Sequence, residues 1–498
     1  MAFAEKRGKY WRSRFKTADG SLGSASCGYD GRRFTTEKAA VDFGEEQEAD
    51  VRRNLWRDPR SGDILLQDWV NQWYPAQDLE LTTLDGYRWH IEVHILPYFG
   101  HRPLNTLTAI EINAWELQLH REKICGETSA ASARTLLHTI LSDAVAAGLI
   151  AANPAVRRRN RGRKNGKSRT RGPEREWSTP LTVLLLGERL AALSGRPDDF
   201  VQAVTVGYTG LRWAETVGLE RQYFRLSSIR VEQQVYERGG TWIKKAPKDD
   251  SYRTIPIPTF LTDLLSEHLK ASGNGKCGCK GPRGCGGGQY VFLGEDGGHE
   301  RRSNYGQRRF RLAADGRHPG MKSRPGYPVL VDLAETPWPG LVKRSWPMAV
   351  EGQEFSPPHH RGFWRYDIEQ HHVASWLPLM KGLTPQGLRH GHKVWLDEDG
   401  IPTVASEERL GHELPGIVGT YSHTSEEMVR RILEGLQKRW EASLRERATV
   451  WGGRSSVPVL DGLLAPYRQA AKGRIQDLLP PRSQEAVTDL RARPKKRA

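Results

Sequence analysis

Apolar positions recur along this chain with two different periods. Between residues 63 and 155 they fall at helical spacing: Ile64, Leu65, Trp69, Val70 and Trp73 make one stripe, and Tyr87, Ile91 and Ile95 a second. Ile110, Ile112, Trp115 and Leu119 make a third, and Leu136, Leu137, Ile140, Leu141 and Val145 a fourth. Steps of three and four put each set on one side of a helix, so four amphipathic helices sharing one core are predicted, closed by Asn153-Pro154. Upstream the period is two. Tyr10, Arg12 and Arg14 alternate with Trp11 and Phe15, and Asp19-Gly20 and Asp30-Gly31 supply turns, which predicts two or three short strands with one basic face. A helix from Thr36 to about Leu55 follows, with Ala40, Phe43 and Val51 on one side.

From about Trp177 both periods occur together. Phe200–Tyr208 reads as a helix, and Ser228–Tyr236, Gly240–Lys244 and Tyr252–Ile257 read as strands. Thr384-Pro385 opens a helix, because proline suits the first turn, and Gln386, Arg389 and His390 then share a face. That helix stops at Asp399-Gly400. A second runs from Pro402 to Leu410-Gly411 and leaves His412 on the turn after a glycine able to adopt the left-handed conformation. Tyr421 follows a Pro-Gly interruption, and Ser425–Arg447 forms an amphipathic helix through Met428, Val429, Ile432, Leu433, Leu436 and Trp440. Residues 295–312 are basic and helix-like, whereas 273–288 and 313–380 lack periodicity and read as insertions. Residues 448–498, polar and ending PKKRA, read as a disordered basic tail.

At 498 residues the chain exceeds a single core, and a net charge of +16 implies a polyanionic partner. The surplus is concentrated in 157–171, RRRNRGRKNGKSRTR, whose basic side chains are Arg157, Arg158, Arg159, Arg161, Arg163, Lys164, Lys167, Arg169 and Arg171. A stretch so charged and interrupted by glycine cannot build a core, so it is expected to be a flexible connector and a candidate DNA-binding stretch, with a solvated linker that touches nothing as the alternative. Five cysteines, an odd number, point to a reducing compartment, and the absence of a signal-peptide core or a bilayer-length apolar run to a cytoplasmic protein with no membrane partner. Cys277, Cys279 and Cys285 lie close together, with His299 available as a fourth ligand for structural zinc; reduced loop cysteines are the alternative. The paired histidines His359, His360, His371 and His372 lack carboxylates at helical spacing and are not read as ligands.

Three motifs occur in order in the second half: Thr209-Gly210-Leu211-Arg212-Trp213-Ala214-Glu215, then Gln386-Gly387-Leu388-Arg389-His390, then Leu410-Gly411-His412 with Tyr421 beyond it. Together they resemble the tyrosine recombinase (phage integrase) family, with an arginine box, H-x-x-R-H, L-G-H and a nucleophilic tyrosine. The departure is Gln386 where the family usually carries histidine. The resemblance implies an α+β multidomain chain: an arm-type DNA-binding sheet and helix (1–58), a helical SAM-like core-binding domain (63–155), a basic linker (156–176) and a mainly helical catalytic domain with a β-hairpin (177–447). It implies double-stranded DNA at attachment sites as substrate, a homo-oligomer, tetrameric on DNA, and an excision factor as a further partner.

The resemblance also implies roles. Tyr421 attacks a phosphodiester to give a 3′-phosphotyrosyl link, and Arg212, Arg389 and His412 hold the non-bridging oxygens. Lys248, on a hairpin turn like the one that carries the family's lysine, protonates the leaving 5′ oxygen, with Lys244 and Lys245 as alternatives. No cofactor is required for this chemistry. An amide at Gln386 holds an oxygen but takes no proton, so base assistance is either weak or comes from elsewhere, and His390 is expected to supply part of it. A type IB topoisomerase-like nicking enzyme and a catalytically silent DNA-binding regulator are the competing readings.

Overall fold

A computed structural model describes residues 1–478 except 19, 29–30, 54–60, 158–176, 280–282, 321–325, 333–341, 344–372, 381, 414–422 and 451–453. Tyr421, the basic residues from Arg158 to Arg171 and the four paired histidines therefore lie outside the described residues. The chain forms two compact units, Met1–Lys167 and Ser168–Ala498.

The first unit opens with antiparallel strands Phe3–Arg7, Tyr10–Lys16 and Leu22–Ala25, the second of them central. Its alternation sends Ser13 and Phe15 inward, where Phe15 and Phe34 pack on Phe43 of the helix Glu37–Arg52. Gly44 allows the close approach, since a Cβ there would stand 2.6 Å from the Ser13 hydroxyl. Thr36 caps this helix by accepting from the Ala39 amide.

Helices Leu66–Trp73, Leu81–His90, Ala109–Arg121 and Glu127–Ala146 build the next layer, the second continuing through a wider turn into Leu96–Phe99. Leu66, Val70, Trp73, Ile95, Trp115, Leu137 and Ile140 are among its core residues. Three indole N–H groups are satisfied within it: Trp115 donates to the His94 carbonyl, Trp73 to Asp143 and Trp69 to the Ile140 carbonyl. Two stripe members differ from expectation. Ile110 is 81% exposed, because the Thr108–Glu111 capping box turns that first-turn position outward, and Leu66 rather than Leu65 occupies the centre.

The second unit has one large core assembled from distant segments. Helices Pro180–Ser194, Pro197–Thr209, Thr259–Ala271, Pro385–Glu398 and Glu426–Val450 surround it. An aromatic group of Tyr208, Phe260, Trp395 and Trp440 sits inside, with Phe260 and Trp440 stacked at 4.5 Å. The predicted strand Ser228–Tyr236 is two strands in different sheets. Ser228–Val231 is central between Phe224–Arg225 and Arg253–Pro256, whereas among the described residues Gln234–Arg238 pairs only with Thr241–Lys245.

Two further expectations need correction. Val457 and, in the helix Pro458–Leu478 that follows it, Leu460 and Leu464 are completely buried in the main core, so the segment after 448 is not tail throughout; residues 479–498 lie outside the described part. The short apolar set Val457–Leu464 was obscured by the polar residues around it. Likewise Ala313 and Ala314 end a helical run and are buried, so the start of the supposed insertion at 313 belongs to the core.

Candidate active site

Gly210 ends the helix Pro197–Thr209 in a left-handed conformation (φ 69°), and the helix Trp213–Val217 starts immediately after Arg212. This sharp reversal holds Arg212 by its own backbone. Its amide donates to Glu215 at 2.9 Å, and its guanidinium donates to Glu215 (2.7 Å), the Ser251 hydroxyl (3.0 Å) and the Gly411 carbonyl (3.0 Å). Glu215, one helical turn on, is shared with Arg253, whose fork meets both carboxylate oxygens at 2.8 and 3.1 Å. Burial alone would raise the Glu215 pKa, but the hydrogen bonds and charges of Arg253 and Arg212 outweigh it and bring the carboxyl down to about 2. It is therefore a fixed anion between two cations.

Arg389 comes from the helix Pro385–Glu398, opened by Thr384, whose hydroxyl accepts from the Gly387 amide. The side chain is 3% exposed and donates to the Gly210 carbonyl (2.5 Å), the Leu410 carbonyl (2.7 Å) and Nε2 of His412 (2.8 Å). Desolvation, then the neighbouring Arg212 charge, pushes its pKa down to about 9. An arginine only donates, so Nε2 of His412 is the acceptor and Nδ1–H points at Glu407, 2.5 Å away. Gly411, with φ 69°, makes the turn that presents His412 after the helix Thr403–Leu410.

The structure thus brings Arg212, Arg389 and His412 into one connected group around the Gly411 turn. Lys248 sits in a turn after Thr241–Lys245, where Asp249 and Asp250 adopt positive φ, and its side chain is 69% exposed. Ser251 and Arg253, three and five positions on, belong to the arginine network, so that turn is tethered to the group. The alternatives point elsewhere: Lys244 pairs with Glu220, and Lys245 lies over the Tyr236 ring. Gln386 and His390 are exposed, whereas Arg389 is turned inward, so the three do not share the face expected. The imidazole beside Arg389 belongs to His412, not His390. Arg157, the one described member of the basic run, is paired with Glu116.

Several supporting residues escaped the sequence reading. His392 is fully buried; its Nδ1 faces the Gly207 carbonyl and its Nε2 accepts from Arg409, while Arg409 also donates to the Pro256 and Tyr208 carbonyls. Desolvation holds the His392 pKa well below the ordinary value, in keeping with a neutral ring. The available signal was spacing, since His392 follows Arg389 by three and so lies on its inward face. Arg253 carried a weaker one, a charge inside an apolar strand.

Residues 65–119 match the family model described as phage integrase, N-terminal SAM-like domain. No curated protein sequence matches the chain. Among solved structures it is similar to the Tn1549 transposon integrase in complex with transposon right-end DNA, at 16% identity and TM-score 0.49, over 75% of this chain and 100% of that one. It is also similar to a lambda integrase tetramer bound to a Holliday junction, at 14% identity and TM-score 0.43, over 85% of this chain and 98% of that one. Residues 65–119 thus carry a SAM-like domain of the phage integrase N-terminal type.

Proposed function

We propose that this protein is a site-specific DNA recombinase that cuts and rejoins strands through a 3′-phosphotyrosyl intermediate on Tyr421, integrating or excising a phage or other mobile element. The observation that carries the reading is the convergence of Arg212, Arg389 and His412 on the Gly411 turn, with Arg212 donating to a carbonyl 199 residues further along the chain. Such a group suits a pentavalent phosphate. Arg212 retains its Nε–H and one Nη2–H among the described residues, both able to reach non-bridging oxygens, and Glu215 holds the fork in place.

Arg389 acts through the same group. As charge grows on the phosphate, its donor to His412 can transfer to oxygen, and the Nε2 so freed on His412, steadied by Glu407, takes the phenol proton of Tyr421 and donates it in a hydrogen bond to the same oxygens. Lys248, on its exposed turn, is the acid for the departing 5′ oxygen. Tyr421, nine residues after His412 in sequence, is the nucleophile. A 5′ hydroxyl from a second duplex reverses the step, and the ester conserves the bond energy. Double-stranded DNA is the partner, with the arm-type sheet and the helical domain as further contacts and a tetramer as the working assembly.

The experiment is covalent trapping on a DNA duplex nicked beside the cleavage site, so that the short leaving strand diffuses away. Wild-type protein should accumulate a denaturant-resistant adduct and Tyr421→Phe should not. An adduct that survives Tyr421→Phe, or none with any attachment-site DNA, contradicts the reading. Relaxation of plasmids lacking a specific site would favour the topoisomerase-like alternative.

A further inference from the structure

The segment from Lys276 to Glu300 contains a second cluster of chemically active side chains, apart from the arginine group. The Sγ atoms of Cys277, Cys279 and Cys285 and a ring nitrogen of His299 all lie within 4.8 Å of one another. Cys277 and Cys285 are 3.7 Å apart, too far for a disulfide and close to the ~3.8 Å edge of a tetrahedron with metal–sulfur bonds of about 2.3 Å. His299 is 6% exposed and, among the described residues, neither of its ring nitrogens makes a well-formed hydrogen bond, only a weak approach to the Val217 backbone, a costly arrangement for a polar ring without a ligand.

The backbone is shaped to hold this arrangement. The Cys277 amide donates to the Gly288 carbonyl, and the Gly278 amide to the Gly297 carbonyl, which fastens the Cys277–Cys279 turn to the loop bearing His299. Gly286, Gly287 and Gly288 all take positive φ, the conformation that lets the chain double back after Cys285. Tyr290 and Trp242 flank His299, with ring centroids 4.4 and 5.1 Å away.

We infer that Cys277, Cys279, Cys285 and His299 bind one zinc ion in a closed, four-ligand structural site. Three thiolates and one imidazole are a donor set that favours zinc, and four protein ligands leave no position for substrate. The site's neighbours say what it braces. Cys277 and Cys285 share an apolar cluster with Val217 and Val235, and the Trp242 amide donates to the Arg283 carbonyl. Val217 ends the helix that begins after Arg212, and Val235 and Trp242 belong to the hairpin preceding the Lys248 turn. Zinc would stiffen the support of both without touching DNA.

The inference is tested on the full-length protein purified under reducing conditions from zinc-supplemented cells. Elemental analysis should give about one zinc per chain, and X-ray absorption a first shell of three sulfurs at about 2.3 Å and one nitrogen at about 2.0 Å. A native thiol titration should find the half-buried Cys27 and Cys125 but not the other three cysteines, which should react after denaturation with chelator. Cys277→Ser/Cys285→Ser should lower bound zinc at least tenfold. Wild-type protein with less than a tenth of this zinc, a first shell of oxygen and nitrogen only, or full zinc in the double variant would each overturn the site. Because metal content and thiol reactivity are read without DNA, failure here is distinguishable from failure of the recombinase reading.

Discussion

Arg389 is the residue on which most depends locally, because one buried guanidinium closes three contacts on two separate segments: Gly210 on one, Leu410 and His412 on the other. A lysine keeps the charge but not the planar fork, so it can satisfy only part of that set. Arg389→Lys is expected to slow adduct formation by about 10²-fold or more and to destabilise the fold by roughly 1–3 kcal/mol through carbonyls left unpaired, read by single-turnover cleavage and denaturant unfolding. Glu215 gives a prediction in pH. Its folded pKa of about 2 lies below the ordinary 4.5, so its ionised form stabilises the protein above that value and the contribution is lost as pH falls between them. Unfolding free energy should drop through that window in wild type, and the drop should be shallower in Glu215→Gln. That variant should already be weaker at pH 7, by roughly 3–5 kcal/mol, because Arg253 loses its buried partner. An identical slope in both proteins would contradict the assignment.

At the scale of elements, the Gly411 turn joins the end of one helix to the site. Its φ of 69° disfavours any side chain, and a Cβ would stand 2.9 Å from the Arg253 guanidinium. Gly411→Ala should therefore cost about 1–2 kcal/mol of stability and displace His412, lowering cleavage more than the loss of stability explains; unfolding and cleavage measured on the same preparation separate the two. The C-terminal helix offers a different test. Arg447 and Glu188, both fully buried, tie Glu426–Val450 to Pro180–Ser194 with two bonds of 2.8 Å. Arg447→Met should cost roughly 3–5 kcal/mol, and adding Glu188→Gln should recover part of it, since an uncompensated buried charge is worse than none. This part of the chain also shows where sequence reading succeeds. Ile432, Leu436 and Trp440 announced their helix by spacing, and Pro385 and Gly411 marked element ends by backbone chemistry alone. The partition of Ser228–Tyr236 between two sheets was not legible, because both halves carry the same alternation and only tertiary pairing separates them. Nor was the inward turn of Arg389 away from His390, since helical phase says which residues share a face but not which face is buried.

For the whole molecule, the charge of +16 sets the conditions of binding. Affinity for duplex DNA should fall steeply with salt, and replacing Arg158, Arg159, Arg161 and Arg163 by glutamine should reduce the slope of log K against log salt by up to about 3–4. An unchanged slope would mean those side chains meet no phosphate. The candidate site was legible because its members sit in short motifs whose order is visible in one dimension. Its supports, Arg253, Arg409, His392 and Glu407, were not, because each acts through contacts that only the folded second unit creates. The most direct test of the central claim is identification of the residue that carries DNA in the trapped adduct. After nuclease and trypsin treatment, mass spectrometry should find the phosphonucleotide on Tyr421 within the peptide Leu410–Arg430, the same fragment that carries His412. Attachment to any other residue would contradict the account.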